Sequence, residues 1–167
     1  MTPDQARFLF QLTLPELKQE AQLTQKVIRA IPEEQASWKP NEKGMNALDL
    51  AWHIVSSEAW FLEGIASGGF PQGGGQRPEN VQTVAGVLAF YDGVFPSALE
   101  KLQNLSDEQL ARTIDFFGIY QLPAVRYLGF VLKHSVHHRG QLTTYLRAMG
   151  AKVPSVYGGS ADEPFQR

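Results

Sequence analysis

The chain reads as an all-α protein, a four-helix bundle. Three observations predict it: four long stretches carry apolar residues every third or fourth position, helix-starting signals precede them, and no useful alternating strand pattern competes with them, apart from a possible extended run from Ile114 to Tyr120. Two long connections among four amphipathic helices favour a bundle over a solenoid, and no internal repeat is visible.

Thr2-Pro3-Asp4-Gln5 opens the first helix, with Thr2 as N-cap, Pro3 in the first turn and Gln5 closing a capping box. Its apolar positions run from Phe8 through Leu17 and Leu23 to Ile28, and Ile31-Pro32 ends them. Pro15 removes one hydrogen bond, so a kink or break is expected near Thr13. Pro32 to Met45 is a connector with room for one short turn at Glu33 to Ser37. Asn46 caps a second helix that ends near Ser67-Gly68-Gly69, and Leu50, His53, Ser57, Trp60, Phe61 and Gly64 share one side of it, taken as the inward side.

Gly68 to Pro78 is a loop containing Gly73-Gly74-Gly75; no Gly-Lys-Ser/Thr follows, which excludes a phosphate loop. A third helix from about Gln82 to Gln103 carries Val84, Val87, Tyr91, Phe95 and Leu102, and Pro96 is expected to bend it. Ser106-Asp107-Glu108-Gln109 is a second capping box that starts a short helix. Pro123 suits the first turn of a last helix reaching Met149, with Gly150 just beyond its end. The tail, Ala151 to Arg167, is polar and turn-rich, and is expected to fold back across the bundle end. One domain, residues 1–167, is expected.

Fifteen Lys and Arg against 17 Asp and Glu leave a net charge of -2, with no basic excess to neutralise phosphates, so no nucleic-acid partner is expected. No segment approaches the roughly 20 apolar residues of a membrane span, and the N-terminus has no signal-peptide pattern; a cytoplasmic protein without a membrane partner is expected. There is no cysteine, so a disulfide, a thiolate metal site and a cysteine nucleophile are excluded.

Three of the four histidines lie in Lys133-His134-Ser135-Val136-His137-His138-Arg139-Gly140-Gln141. On a helix with His134 at zero, His138 falls near 40° and His137 near -60° at about 100° per residue. Val131, Leu142, Tyr145 and Met149 share the side of His134 and His138, which therefore point inward, whereas His137 points to the edge and Arg139 to the surface or an interface. An inward His53 brought to that pair would leave a metal ion open positions for water or substrate, the arrangement of a catalytic site. An imidazole ligand needs a hydrogen-bond partner to fix its tautomer, for which Asp49 is the first candidate, followed by Glu58, Asp162 and Glu163. Histidines satisfied within a core, for instance by Tyr145, are the competing reading. Ser135 stands where a helical zinc protease carries its glutamate, which excludes that chemistry. Trp38, Trp52 and Trp60 read as core or dimer contacts, and Tyr120, Tyr127 and Tyr145 as packing residues.

Leu50-Ala51-Trp52-His53-Ile54, the run His134 to Leu142 with Tyr145-Leu146-Arg147, and Val153 to Glu163 together resemble the DinB-like (DinB/YfiT) family, over nearly the whole chain. The resemblance implies an up-down-down-up four-helix bundle, a homodimer, and a divalent metal held by His53, His134 and His138. Zinc or nickel is favoured for that metal, with iron, manganese or copper also compatible. It further implies a metal-dependent enzyme acting on a small molecule, foremost a transferase moving a low-molecular-weight thiol, such as bacillithiol or mycothiol, to an electrophile. The alternatives are a metal-dependent hydrolase or isomerase, and a non-catalytic dimeric metal-binding stress-response protein.

Overall fold

The computed structural model describes residues 1–73 and 75–165; of the triple glycine, Gly74 lies outside the described residues. The first helix, α1, spans Pro3–Arg29, opened by the full Thr2/Gln5 capping box. Of the kink or break expected near Thr13, the break is absent: α1 is continuous through Pro15. Pro15 frees the carbonyl of Gln11, but Gln11 is exposed and water can take up that carbonyl, so the helix continues. A 3₁₀ turn at Glu33–Gln35 occupies the connector, and α2 follows over Ala47–Ser67 with Asn46 as N-cap. Gly68 closes α2 at φ +93°, and the Arg112 guanidinium donates to the carbonyls of Ile65 and Ala66 (2.8 Å each), satisfying the helix end.

Helix α3 spans Val84–Gln103, passing Pro96 on its exposed side, and α4 is the short Asp107–Ala111 behind the Ser106/Gln109 capping box. The last helix does not begin at Pro123. The extended run instead forms a hairpin, β1 (Thr113–Phe116) against β2 (Tyr120–Pro123), then a 3₁₀ turn (Ala124–Tyr127), and α5 covers Leu128–Ala148. Pro123 is the last residue of β2, and one further bond in the same register, from Ala124 N–H to the carbonyl of Arg112 (2.8 Å), ties the hairpin to the 3₁₀ turn.

Ion pairs and hydrogen bonds fix the directions. Along α2 and α3 the partners advance together, from Arg77–Asp49 beside the start of α3, through Tyr91–Glu58, to Lys101–Glu63, so these helices are parallel. His53 meets His138, while Phe61, farther along α2, meets His134, so α5 runs against α2. Arg7 at the start of α1 pairs with Asp107 just after α3, and Gln25 near its end with Asp92 early in α3, so α1 opposes α3. The connectivity is up-down-down-up. The parallel α2–α3 step requires a long crossover, which is pinned by two indoles: Trp52 Nε1 donates to the Gly75 carbonyl (2.9 Å) and Trp60 Nε1 to that of Pro71 (3.2 Å).

The core draws on every helix, with Val27, Leu50, Ile54, Leu62, Val87, Tyr91, Leu110, Tyr127 and Leu142 fully enclosed. Two expectations about faces fail. Arg139, expected at the surface, is 2% exposed: its guanidinium binds the carboxylate and the carbonyl (3.0 Å) of Glu20, Thr24 Oγ1 (3.2 Å) and the hydroxyl of Tyr157. Helix α5 is covered on one side by α2 and on another by α1, so a wheel that assumes one buried face misplaces it. Tyr120, expected to pack, is instead 46% exposed at the hairpin.

The tail packs along the end of α1 and α5. Asp162 accepts from Val153 N–H (2.9 Å) and pairs with Arg147, Glu163 accepts from Ser155 N–H (2.9 Å) and pairs with Lys26, and Tyr157 donates to Glu20 (2.6 Å). The segment 153–163 thus seals the buried Glu20–Arg139 pair. Among the described residues no helix is long and apolar enough to cross a membrane.

Candidate metal centre

His53 on α2 and His134 and His138 on α5 meet although more than 80 residues separate the two groups. His53 Nε2 lies 3.2 Å from His138 Nε2 and 3.0 Å from His134 Nε2, and one ring nitrogen of each residue falls within 4.8 Å of the others. Nitrogens around a tetrahedral zinc, at 2.0–2.1 Å from it, would stand about 3.3 Å apart, so the two spacings from His53 fit an ion after shifts of a few tenths of an ångström. The cluster suggests a divalent metal. His137, as its angle predicts, is exposed and outside the cluster.

The tautomers agree with that role. Gln141 Nε2 donates to the hydroxyl of Tyr145 (3.2 Å), which turns its Oε1 towards His138 Nδ1 at 3.0 Å. His138 therefore carries its proton on Nδ1 and presents an Nε2 lone pair to the cluster. Burial, then the charge of His138, holds the pKa of His53 below its ordinary value. Burial, followed by the charges of His138, His53 and His137, holds His134 down to about 4. A cation between the three rings would accept the Nε2 lone pair that His138 presents. Nδ1 of His134 is buried without a hydrogen-bond partner among the described residues.

None of the four carboxylates expected to orient an imidazole does so. Asp49 binds Asn46 and Arg77, and Asp162 and Glu163 hold the tail. Glu58 is buried on the other side of α2, where it accepts from Tyr91; burial pushes its carboxyl up, against the opposing effect of the Ser135 and Tyr91 hydroxyls. The orienting residue is Gln141. Its signal was local, three positions after His138 and four before Tyr145 on one helix face.

The side of α2 that carries His53 is the half-open one. Ala51, Ile54, Val55, Leu62 and Ile65 form the enclosed side, because α3 and α5 flank the helix and leave His53, Ser57 and Trp60 between them. His53, Ser56, Ser57, Trp60, Gly73 and Gly75 line a cavity of about 230 Å³ there. Trp52 is core, Trp38 packs edge-on against Tyr145, and Trp60 lies at the cavity.

Comparison with known proteins agrees with this architecture. The uncharacterized protein YrdA of Bacillus subtilis strain 168 is 28% identical over 150 residues, covering 86% of this chain and 85% of YrdA. The crystal structure of a DinB-like protein from Bacillus cereus superposes with a TM-score of 0.74 at 29% identity, covering 87% of this chain and 95% of that one. YfiT from Bacillus subtilis, described as a probable metal-dependent hydrolase with an unusual four-helix bundle topology, shares the fold at a TM-score of 0.68, with 16% identity and 91% of each chain covered. The sequence profile of the DinB family matches residues 6–166, and the chain belongs to that family.

Proposed function

We propose that the protein is a divalent-metal-dependent enzyme, with His53, His134 and His138 as the metal's ligands, that transfers a low-molecular-weight thiol to a small electrophile. The convergence of three imidazole nitrogens beside an open cavity carries this reading. A metal held there supplies a lowered pKa to a bound thiol or water and polarises an electrophile. The chain supplies three converging imidazole nitrogens, a tautomer of His138 fixed by Gln141, and a cavity that admits a small molecule. Thiol transfer is preferred to hydrolysis because Asp49 and Glu58 are engaged elsewhere and Ser135 replaces the protease glutamate. A thiol of pKa near 8.5 ionises without a dedicated base more readily than water does. Hydrolysis is the second reading, favoured by the description of YfiT.

Zinc- or nickel-loaded protein is expected to conjugate a small thiol to an alkyl halide, the sulfur displacing halide, and His138→Ala is expected to abolish this. Ester cleavage without conjugation would establish the hydrolytic reading instead. If neither reaction occurs while chelation lowers the melting temperature, the protein is a non-catalytic metal binder, since an ion that binds only the native state stabilises it by mass action.

A homodimer is part of the proposal. Phe8 and Leu12, 63% and 59% exposed and one turn apart on α1, form an exposed apolar face suited to a second copy. Light scattering of Phe8→Glu/Leu12→Glu should show monomers where the unaltered chain shows dimers.

A further inference from the structure

The cavity beside the histidines has an aromatic rim. Trp60 lines it, and the ring of Phe117 lies parallel to Trp60 at 6.3 Å, with an interplanar angle of 11°. Phe70 stands 5.1 Å from Trp60, and Phe61 6.3 Å from His134, so the aromatic surface runs without interruption to the histidines.

Phe117 reaches this position at a cost. The hairpin turn is closed by Ile119 N–H donating to the Phe116 carbonyl (2.9 Å), and both residues between them have positive φ, Phe117 at 55° and Gly118 at 72°. Asn, Asp or Gly normally occupy such positions; a phenylalanine there strains the backbone. Its ring is only partly buried in return, against Phe116 (5.1 Å) and Trp60, and the residue stays 44% exposed. Strained backbone holding an exposed aromatic at the mouth of a polar cluster points to a ligand contact.

The lining also excludes a class of ligand. Among the described residues that line it, His53, Ser56, Ser57, Trp60, Gly73 and Gly75, there is no lysine, arginine, aspartate or glutamate to pair with a charged substrate tail. At about 230 Å³ the space suits a single ring with a short polar arm, and is too small for a helix of another protein.

We infer that Trp60 and Phe117 form the substrate-recognition subsite of the histidine centre, and that the substrate is a small molecule with an uncharged aromatic group, its polar reactive group extending towards His53, His134 and His138. This rests on the reading that those histidines hold a metal. Trp60, fixed by its indole bond to Pro71, provides the rigid face in the cavity, and Phe117, parallel to Trp60, extends that aromatic surface beyond the cavity lining.

Benzohydroxamate and acetohydroxamate share one metal-seeking group and differ by the aromatic ring. In calorimetric titration of zinc-loaded protein, benzohydroxamate is expected to bind about tenfold tighter, the size of one good aromatic contact. In Phe117→Asn, which relieves the turn, and in Trp60→Leu, that advantage should fall below about twofold while zinc and acetohydroxamate affinities stay unchanged. Equal affinities in the unaltered protein, or an advantage kept in both variants, would overturn the inference while the metal reading stands. Failure of the unaltered protein to bind zinc would overturn both. If Phe117→Asn turned dimers into monomers with the affinity ratio intact, the rim would be a contact between copies, and the inference would again fail.

Discussion

Replacing Arg139 by methionine should be among the most damaging single changes in this chain. Arg139 and Glu20 are 2% and 10% exposed at their side chains, and the guanidinium also holds Thr24, the Glu20 carbonyl and Tyr157. Without it, the Glu20 carboxylate stays buried with Tyr157 as its remaining donor. Breaking a buried pair from one side costs about 3–5 kcal/mol, a large part of the 5–15 kcal/mol that holds a typical domain together. At roughly 2–4 °C per kcal/mol for a chain of this size, the midpoint should fall by about 6–20 °C. Urea unfolding in the presence of a chelator measures the loss without any contribution from bound metal. The double variant Glu20→Leu/Arg139→Met removes both charges, so its stability should recover to within about 1 kcal/mol of the unaltered chain, a coupling of 2 kcal/mol or more. A single variant that loses less than about 1 kcal/mol, or a double variant that loses the sum of the two singles, would refute the account of this pair.

Gln141→Leu should weaken zinc binding by about 10–100-fold in competition with a chromophoric chelator, because His138 Nδ1 loses its acceptor, while circular dichroism stays unchanged. Gly64→Ala should cost about 1–3 kcal/mol in urea unfolding, since the new Cβ would stand 2.3 Å from a ring carbon of Phe70. Stability of the metal-free protein should fall with pH through His134. Its native pKa, about 4, lies below the unfolded value near 6.5, so its contribution is complete above pH 6.5 and is lost as pH falls towards 4. Glu58, whose carboxyl is pushed up by burial, acts in the opposite sense, so the measured quantity is the difference between the unaltered chain and His134→Asn, and a difference independent of pH would contradict the assignment.

Much of the architecture was legible because helices announce themselves locally. Thr2, Asn46 and Ser106 each bond a backbone N–H three residues on, and Gly68 and Gly150 sit at positive φ just past their helices, so starts and stops appear as short patterns. The pair His134 and His138 was legible for the same reason, and so, in principle, was Gln141. Two local rules misled. Proline in a helix is tolerated where the freed carbonyl faces water, as at Pro15, and a proline that suits a first turn can equally end a hairpin, as Pro123 does.

What the sequence by itself determined is therefore what neighbours within one turn decide: the helices, their caps, and which two histidines of the cluster share a face. Tertiary structure alone decided the rest. Arg139 reads as a surface cation until α1 brings Glu20 from 119 positions away and the tail brings Tyr157 over it. Trp60 reads as a core or dimer contact until the fold sets it beside His53 with the ring of Phe117 parallel to it. A helical wheel carries one periodicity and hence one buried side, whereas a helix between two neighbours has two, and only the packed chain shows which residues occupy the second.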